Sequence, residues 1–156
     1  MNAEPRPAAV RKADTLAKLR DPAADVWVAS AGTGDAGDPV PWLVPLSLAW
    51  LDERVVLALE TSSRTARNVV AGGGARLALG HTRDVVMIDA VLEDAVPLAG
   101  APATLAEGYA AQADWDPRDA GDGYTFLVLR PERIQAWRES DELAGRTLMR
   151  GGTWLV

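Results

Sequence analysis

The sequence contains no cysteine and only one histidine, His81. Without cysteine the chain can form neither disulfides nor thiolate metal sites, and it has no thiol nucleophile. A single histidine makes a serine–histidine triad or a histidine-based metal site difficult to build within one chain. We therefore expect no metal site, and much hydrolytic chemistry is disfavoured.

Long apolar runs and an excess of positive charge are missing as well. No segment approaches the roughly 18 apolar residues of a membrane span, and the start, MNAEPRPAAVRKAD, lacks the apolar centre of a signal peptide. Asp and Glu outnumber Lys and Arg by 22 to 16, whereas a general nucleic-acid surface needs cations to replace phosphate counterions. We expect a cytoplasmic protein with no membrane or nucleic-acid partner.

The composition is sufficient for one folded domain. The chain has 156 residues, of which 48% are hydrophobic, and this supplies enough apolar surface for a single core. Residues 1–13 contain Pro5 and Pro7 and are predicted to form a mobile N-terminal tail. Residues 14–156 are predicted to form the domain.

Short strand-like segments dominate that domain. In PWLVPLSLAW the alternation places Trp42, Val44 and Leu46 on one face, and Pro45, which cannot donate to the ladder, predicts an edge strand or a bulge. The preceding AGTGDAGDP is typical of a hairpin loop. Six to eight strands and three short helices, without regular strand–helix alternation, predict an antiparallel barrel and disfavour a doubly wound nucleotide-binding sheet.

The segment ETSSRTARNVV, residues 60–70, reverses the acidic character of the chain. A strand ending at Glu60 and a helix starting near Ser63 would leave free backbone N–H groups beside hydroxyls, with Arg64 and Arg67 within reach of an anion. The same residues also fit a simpler role, in which Ser62 or Ser63 caps the helix and the arginines are solvated. Spacing alone leaves both interpretations open.

Charge is also separated along the chain. Arg64, Arg67, Arg76 and Arg83 lie in a stretch without any acid, whereas residues 84–122 carry nine acids and one base. Such separation produces a local positive field that attracts an anionic ligand if the arginines line one groove.

Several segments together resemble a known family. The order of VPLSLAW, VVLALET, SSRTARNV, RLALG, DVVMIDA and RPERIQAWR is similar to that in the pyridoxamine 5'-phosphate oxidase-like split β-barrel superfamily, in particular its flavin and deazaflavin oxidoreductases. The match runs from about Asp14 to Trp137. It implies a mainly β fold with short helices, a six-stranded antiparallel split barrel of Greek-key type. It also implies a homodimer that holds FMN or coenzyme F-420 (a deazaflavin) in a groove at its interface.

The resemblance implies cofactor-binding residues in two segments. The strand containing Pro45 and Ser47 would run beneath the ring. The phosphate would lie against residues of the second segment, which are Thr61, Ser63, Arg64, Thr65, Arg67 and Asn68.

The implied activity is hydride transfer between the bound cofactor and a small organic substrate. The cofactor supplies this chemistry, so the chain needs no strong acid–base pair of its own. Tyr109 and Tyr124 are among the candidate proton donors, and no catalytic residue is assigned. The alternative is a non-catalytic flavin or haem carrier on the same barrel, because a fold does not fix a function.

Overall fold

The computed structural model describes residues 4–156, so residues 1–3 of the predicted tail lie outside the described residues. Three α-helices are present: α1 Ala8–Arg20, α2 Arg64–Gly72 and α3 Ala103–Ala113. The strands are β1 Asp25–Thr33, β2 Pro39–Ser47, β3 Ala49–Leu51, β4 Arg54–Glu60, β5 Gly74–His81, β6 Asp84–Pro97, β7 Tyr124–Trp137, β8 Thr147–Arg150 and β9 Thr153–Trp154.

All strand pairs are antiparallel and belong to one sheet. The order is β2-β1-β5-β6-β7-β4-β3, with β8 on β7 and β9 on β8. The two ends of the main path, β2 and β3, are consecutive in the chain and separated only by the fully buried Leu48. The sheet therefore curls until its ends meet at that residue, although no ladder closes it.

The predicted fold class, mainly antiparallel β with short helices, is confirmed. Nine strands are present in the described residues where six were expected. Six of them have seven or more residues, and β3, β8 and β9 are short additions. The first strand also extends to Thr33, so the predicted loop beginning at Ala31 starts too early.

Two bulges bend the long pair β6 and β7. The register steps from Asp89↔Arg133 to Ala90↔Pro131, and again from Leu92↔Leu129 to Asp94↔Val128. Pro131 lacks an N–H for the ladder, which explains an irregularity at that point. Each extra residue increases the local twist, which favours the curled sheet.

The main core lies on the concave side of the sheet, and a second cluster lies beneath α3. That second cluster contains Tyr109, whose ring packs edge-on against Phe126 at 5.5 Å and Trp115 at 5.9 Å between centroids. Trp115 thereby anchors the acidic loop that contains it. Tyr109 is fully buried, and burial raises its pKa to about 12.

The helix α1 begins at Ala8, so the predicted boundary between residues 13 and 14 falls inside a helix. The segment before it is held by Arg6, whose guanidinium contacts the carboxylates of Glu142 and Asp14, each at 2.7 Å. No helix within residues 4–156 is long and apolar enough to cross a membrane.

Candidate functional site

The helix α2 is short and sharply bounded. Ser63 is its N-cap, and the Ser63 Oγ accepts the Ala66 N–H at 3.2 Å. Gly73 ends it in the left-handed conformation, with φ 78°, and donates its N–H to the Val69 carbonyl at 2.8 Å. Between these caps Ala66 and Val69 are buried against the barrel, which leaves the opposite stripe of the helix exposed.

That exposed stripe lies beside an incompletely paired part of β1. The strand pairs with β2 along its whole length, but it pairs with β5 only from Trp27 to Ala29. Beyond Ala29 the β5 side of β1 faces α2. A cavity of about 420 Å³, here called the arginine cavity, opens between them and is lined by Ala31, Gly32, Thr33, Arg64, Arg67, Asn68, Ala71 and Gly72.

Asn68 and Gly32 fix the floor of this cavity. Asn68 is 8% exposed, and its Nδ2 donates to the Ser30 Oγ at 3.2 Å. A Cβ on residue 32 would lie 2.6 Å from the Asn68 Oδ1. A Cβ at position 32 would therefore displace the Asn68 amide from its place against β1, and glycine leaves room for it.

The two arginines of the cavity share one site, and this distinguishes them from the other arginines that form no ion pair within residues 4–156, such as Arg20, Arg133 and Arg150. Arg54, Arg83 and Arg118 each pair with a carboxylate. Within residues 4–156, Arg64 and Arg67 form no ion pair, and no carboxylate lines the arginine cavity. Two positive charges without a counter-ion produce a local positive field in this cavity, which favours an anion there.

The structure brings together only some of the predicted phosphate residues. Arg64, Arg67 and Asn68 line the arginine cavity. Ser63 is occupied with capping, as in the simpler interpretation, and Thr65 is buried at 4% exposure. Thr61 lies in the turn before the helix, where its N–H donates to the Gly123 carbonyl at 2.8 Å. The cavity thus follows the flank of α2 and not its N-terminus.

The other two arginines of the basic segment lie elsewhere. Arg76 is on β5, with its Nε 3.4 Å from a carboxylate oxygen of Asp89. Arg83 is in the turn between β5 and β6 and pairs with Glu139 at 2.6 Å. The four arginines of the basic segment therefore do not line one groove, because the sequence stretch spans a helix, a strand and a turn.

An apolar surface lies further along the outer face of β1, with no residue in common with the lining of the arginine cavity. Strand alternation places Ala31 on the same face as Ala29 and Trp27, and Trp27 is 51% exposed and Leu43 59% exposed. A second cavity of about 350 Å³, here called the apolar cavity, is lined by Trp27, Ala29, Leu43, Arg76, Leu77, Ala78 and Met87. From Ala31 to Trp27 the strand spans about 13 Å at its usual rise.

The predicted ring-contacting residues lie beyond this apolar cavity. Pro45 is exposed and pairs with Trp27 across the β1–β2 ladder. Ser47 is opposite Asp25, two positions further along. Pro45 and Ser47 are both on the outer face of the sheet, beside the end of β1 that is opposite the arginine cavity.

The small residues of β1 were not identified from the sequence. Ala31, Gly32 and Thr33 were assigned to a loop, and Ala71 and Gly72 to the end of a helix. The available signal was the spacing of Arg64, Arg67, Asn68 and Ala71, which places them on one helical stripe.

Comparison with known proteins identifies the fold. No protein-family model and no curated protein matches the chain. Among solved structures, an F420 reductase superposes with a TM-score of 0.58 at 18% identity, covering 76% of this chain and 94% of its own. The heme binding protein from Mycobacterium smegmatis gives 0.59 at 21% identity, covering 94% of this chain and 59% of its own.

A putative pyridoxamine 5'-phosphate oxidase from Listeria innocua gives a TM-score of 0.59 at 13% identity, with 83% of this chain and 99% of that chain covered. These identities are low, so the likeness concerns the fold. The chain has the pyridoxamine 5'-phosphate oxidase-like split β-barrel fold, as the order of its sequence segments implied.

Proposed function

We propose that this chain binds FMN in the groove along the outer face of β1 and acts as an oxidoreductase on a small organic substrate. The observation that carries the proposal is the arginine cavity, where two unpaired cations lie at one end of an exposed apolar surface. The fold adds support, because solved structures with the same fold include an F420 reductase and a putative pyridoxamine 5'-phosphate oxidase.

The arginine cavity fits a phosphate group. Arg64 and Arg67 supply several N–H donors, and the absence of a Cβ at Gly32 keeps the Asn68 amide close to the backbone of β1. Guanidinium groups bind phosphate through charge-assisted hydrogen bonds, which are about twice as strong as neutral ones. We assign the phosphate to these two arginines and Asn68.

The apolar surface fits a flat ring. Ala29 and its partner Leu43 present apolar area about 7 Å from Ala31 along the strand, and Trp27 and Pro45 extend it to about 13 Å. The extended ribityl chain of FMN is long enough to reach the nearer part of this surface from a phosphate bound at the arginine cavity. The pyrrolidine ring of Pro45 is exposed on this face and adds apolar area to it.

A second copy of the chain would complete this groove. Trp27 and Leu43 lie on a sheet face that is open to solvent in the single chain, and exposed apolar patches of this kind are typical of protein interfaces. We propose that a homodimer covers the ring and excludes water from it.

The roles of the chain in this reaction are binding, orientation and exclusion of water. A flavin, when bound, supplies the hydride chemistry. Tyr109 belongs to the cluster beneath α3, lines neither cavity and is fully buried. It is therefore excluded as a proton donor to this groove, and we assign protonation to water or the substrate.

FMN fits the groove better than the longer coenzyme F-420. An extended anionic tail would benefit from all four arginines of the basic segment, but Arg83 lies outside both cavities and pairs with Glu139. Arg76 lines the apolar cavity, apart from Arg64 and Arg67, and its Nε is 3.4 Å from a carboxylate oxygen of Asp89. A single phosphate needs only the two arginines that converge. Coenzyme F-420 is the alternative cofactor, supported by the F420 reductase of the same fold.

The test is a set of fluorescence titrations with FMN, riboflavin and coenzyme F-420. The double variant Arg64→Ala, Arg67→Ala is expected to bind FMN at least about 100-fold more weakly, since two charge-assisted hydrogen bonds contribute about 1.5 kcal/mol or more each. The matched control is Arg83→Ala, Arg118→Ala, which removes the same charge outside the groove. If FMN binds the unmodified protein, the Arg64→Ala, Arg67→Ala variant and the control variant with equal affinity, the proposed site is excluded.

Catalysis is tested separately by steady-state turnover of the FMN-loaded protein with candidate electron donors and acceptors. Acceleration over free FMN that is lost in the Arg64→Ala, Arg67→Ala variant supports an oxidoreductase. Tight binding without acceleration would leave a flavin carrier.

The dimer is tested by analytical ultracentrifugation of Leu43→Asp. A buried aspartate without a partner is costly, so this variant is expected to be monomeric. Leu155→Asp is the control, because Leu155 is similarly exposed, at 54%, near the C-terminus. A monomeric unmodified protein would refute this part of the proposal.

Haem binding without turnover is a second candidate function. The apolar cavity contains both Met87, a residue type that ligates haem iron in cytochromes, and Arg76, a partner for a propionate. A heme binding protein shares the fold. Met87→Leu is expected to abolish a low-spin haem absorption spectrum, whereas the control Met149→Leu, at a methionine of the main core, retains it. An unchanged spectrum in Met87→Leu would exclude this ligation.

A further inference from the structure

The cation–π contact between Trp42 and Arg64 points to a positioning residue in the proposed anion site. The Arg64 guanidinium lies over the Trp42 ring, 4.6 Å from its centroid. Arg64 is exposed and is the first residue of α2, so without this contact its long side chain would sample many rotamers. The inference rests on the proposed binding of a phosphate-bearing cofactor.

Trp42 is held by elements independent of α2. It lies on β2 opposite Ser30, inside a continuous ladder of nine residue pairs between β1 and β2. The ring is half-buried, and strand alternation places it on the same face as Val44 and Leu46, which pack against the main core. The ladder fixes the backbone that carries the Trp42 ring, and its neighbours Val44 and Leu46 anchor the strand on the core.

Stacking on a ring differs chemically from pairing with a carboxylate. An arginine that pairs with a carboxylate uses its in-plane N–H donors, as Arg54 does with Glu93 and Arg118 does with Asp116. An arginine over an aromatic face is attracted through the face of the guanidinium, and its N–H donors remain in the plane around it. Trp42 can therefore restrict Arg64 while leaving its donors free for an anion.

We propose that Trp42 is a positioning residue for the phosphate group of the cofactor, acting through Arg64. Restricting an arginine before the ligand arrives reduces the conformational entropy lost on binding. The effect of substituting Trp42 on affinity should therefore require Arg64 in the protein and the phosphate group in the ligand. It should not depend on the rest of the ligand.

The expected size follows from the strength of the contact. Cation–π contacts contribute about 0.5–1 kcal/mol when exposed and about 2 kcal/mol when desolvated, which corresponds to roughly 2- to 30-fold in affinity. Trp42→Leu is expected to weaken FMN binding by about 3- to 10-fold and to leave riboflavin binding unchanged. Trp42→Phe keeps an aromatic face and should retain most of the affinity.

The test is a double-variant cycle on full-length protein, with FMN, riboflavin and inorganic phosphate as probes. If Trp42 acts through Arg64, then Trp42→Leu has no further effect on FMN or phosphate affinity in the Arg64→Ala background. Trp154→Leu is the matched control, because Trp154 is also half-buried and carries a cation–π contact, to Lys12 at 4.9 Å, outside both cavities. Thermal unfolding establishes that each variant is folded.

The outcomes separate this proposal from the proposed function. Equal loss of FMN and riboflavin in Trp42→Leu, or independent effects of the two substitutions, would overturn the positioning role while leaving the FMN site intact. If the protein binds inorganic phosphate but not FMN, the proposed function alone is refuted. The double-variant cycle measured with inorganic phosphate then decides the role of Trp42. Absence of binding by either probe would overturn both.

Discussion

Gly32→Ala tests whether the close approach of α2 to β1 shapes the candidate site. The added Cβ would lie 2.6 Å from the Asn68 Oδ1, and an ordinary contact begins at 3.4 Å, so the amide must move by about 0.8 Å. Asn68 is almost fully buried and hydrogen-bonded to Ser30. The movement therefore breaks this bond or displaces the helix.

The magnitude follows from three contributions to the free energy of unfolding. Overpacking costs about 1–3 kcal/mol and loss of one hydrogen bond about 1 kcal/mol. Replacement of a glycine in a strand offsets about 0.5–1 kcal/mol of this through the entropy of the unfolded chain. We expect Gly32→Ala to destabilise the protein by about 1–3 kcal/mol and to weaken FMN binding.

Urea unfolding followed by tryptophan fluorescence measures this change, with equal slopes required for the comparison. Gly72→Ala is the matched control, since Gly72 lines the same cavity and its added Cβ would meet nothing within 4 Å. In the Asn68→Ala background the clash is removed, and Gly32→Ala should then stabilise the protein by about 0.5–1 kcal/mol through the entropy of the unfolded chain. An equal cost of Gly32→Ala in both backgrounds would refute the reasoning.

Three further predictions concern stability. The hydrogen bond from Arg6 lowers the pKa of Glu142 to about 2, below its usual 4.5. The Arg6–Glu142 pair therefore stabilises the fold fully above pH 4.5, and the free energy of unfolding falls by about 2–3 kcal/mol as the pH falls towards 2. In Glu142→Gln the free energy of unfolding, measured with urea, should depend less on pH in this range. Glu53 follows Asp52 in a two-residue hairpin turn with φ 58°, so Glu53→Gly should raise the free energy of unfolding by about 0.5–1 kcal/mol, and a decrease would contradict the strain argument. The Tyr109 hydroxyl is buried without a hydrogen-bond partner among the described residues, so Tyr109→Phe should stabilise by about 1 kcal/mol in thermal unfolding without changing FMN affinity.

Much of the fold could be predicted because its signals are local. Alternation along β2, the turn residues between strands and the absence of strand–helix repeats all indicate an antiparallel sheet. The number of strands could not be predicted, since β8 and β9 have four and two residues and form only by pairing with β7 and with each other. The predicted end of the tail, at residue 13, falls inside α1, because Pro5 and Pro7 suggested a tail whereas Arg6 pairs with Glu142, 136 residues away.

The candidate site was predictable only where its residues lie on one helix. Arg64, Arg67 and Asn68 could be selected from their spacing and charge, but Gly32 and Trp42 come from two other strands. Their relation to the helix depends on where β5 stops pairing with β1, which is a non-local property of the sheet.

The sequence by itself determined the composition of the basic segment, the caps of α2 and the β character of the chain, because these depend on neighbouring residues and on periodicity. The tertiary structure alone decided which arginines lie in one cavity. Arg76 and Arg83 acquire carboxylate partners across strands and turns, whereas Arg64 and Arg67 face a gap beside β1. The physical reason is that the free donors of a cation depend on the partners that folding brings to it, and those partners are distant in the chain.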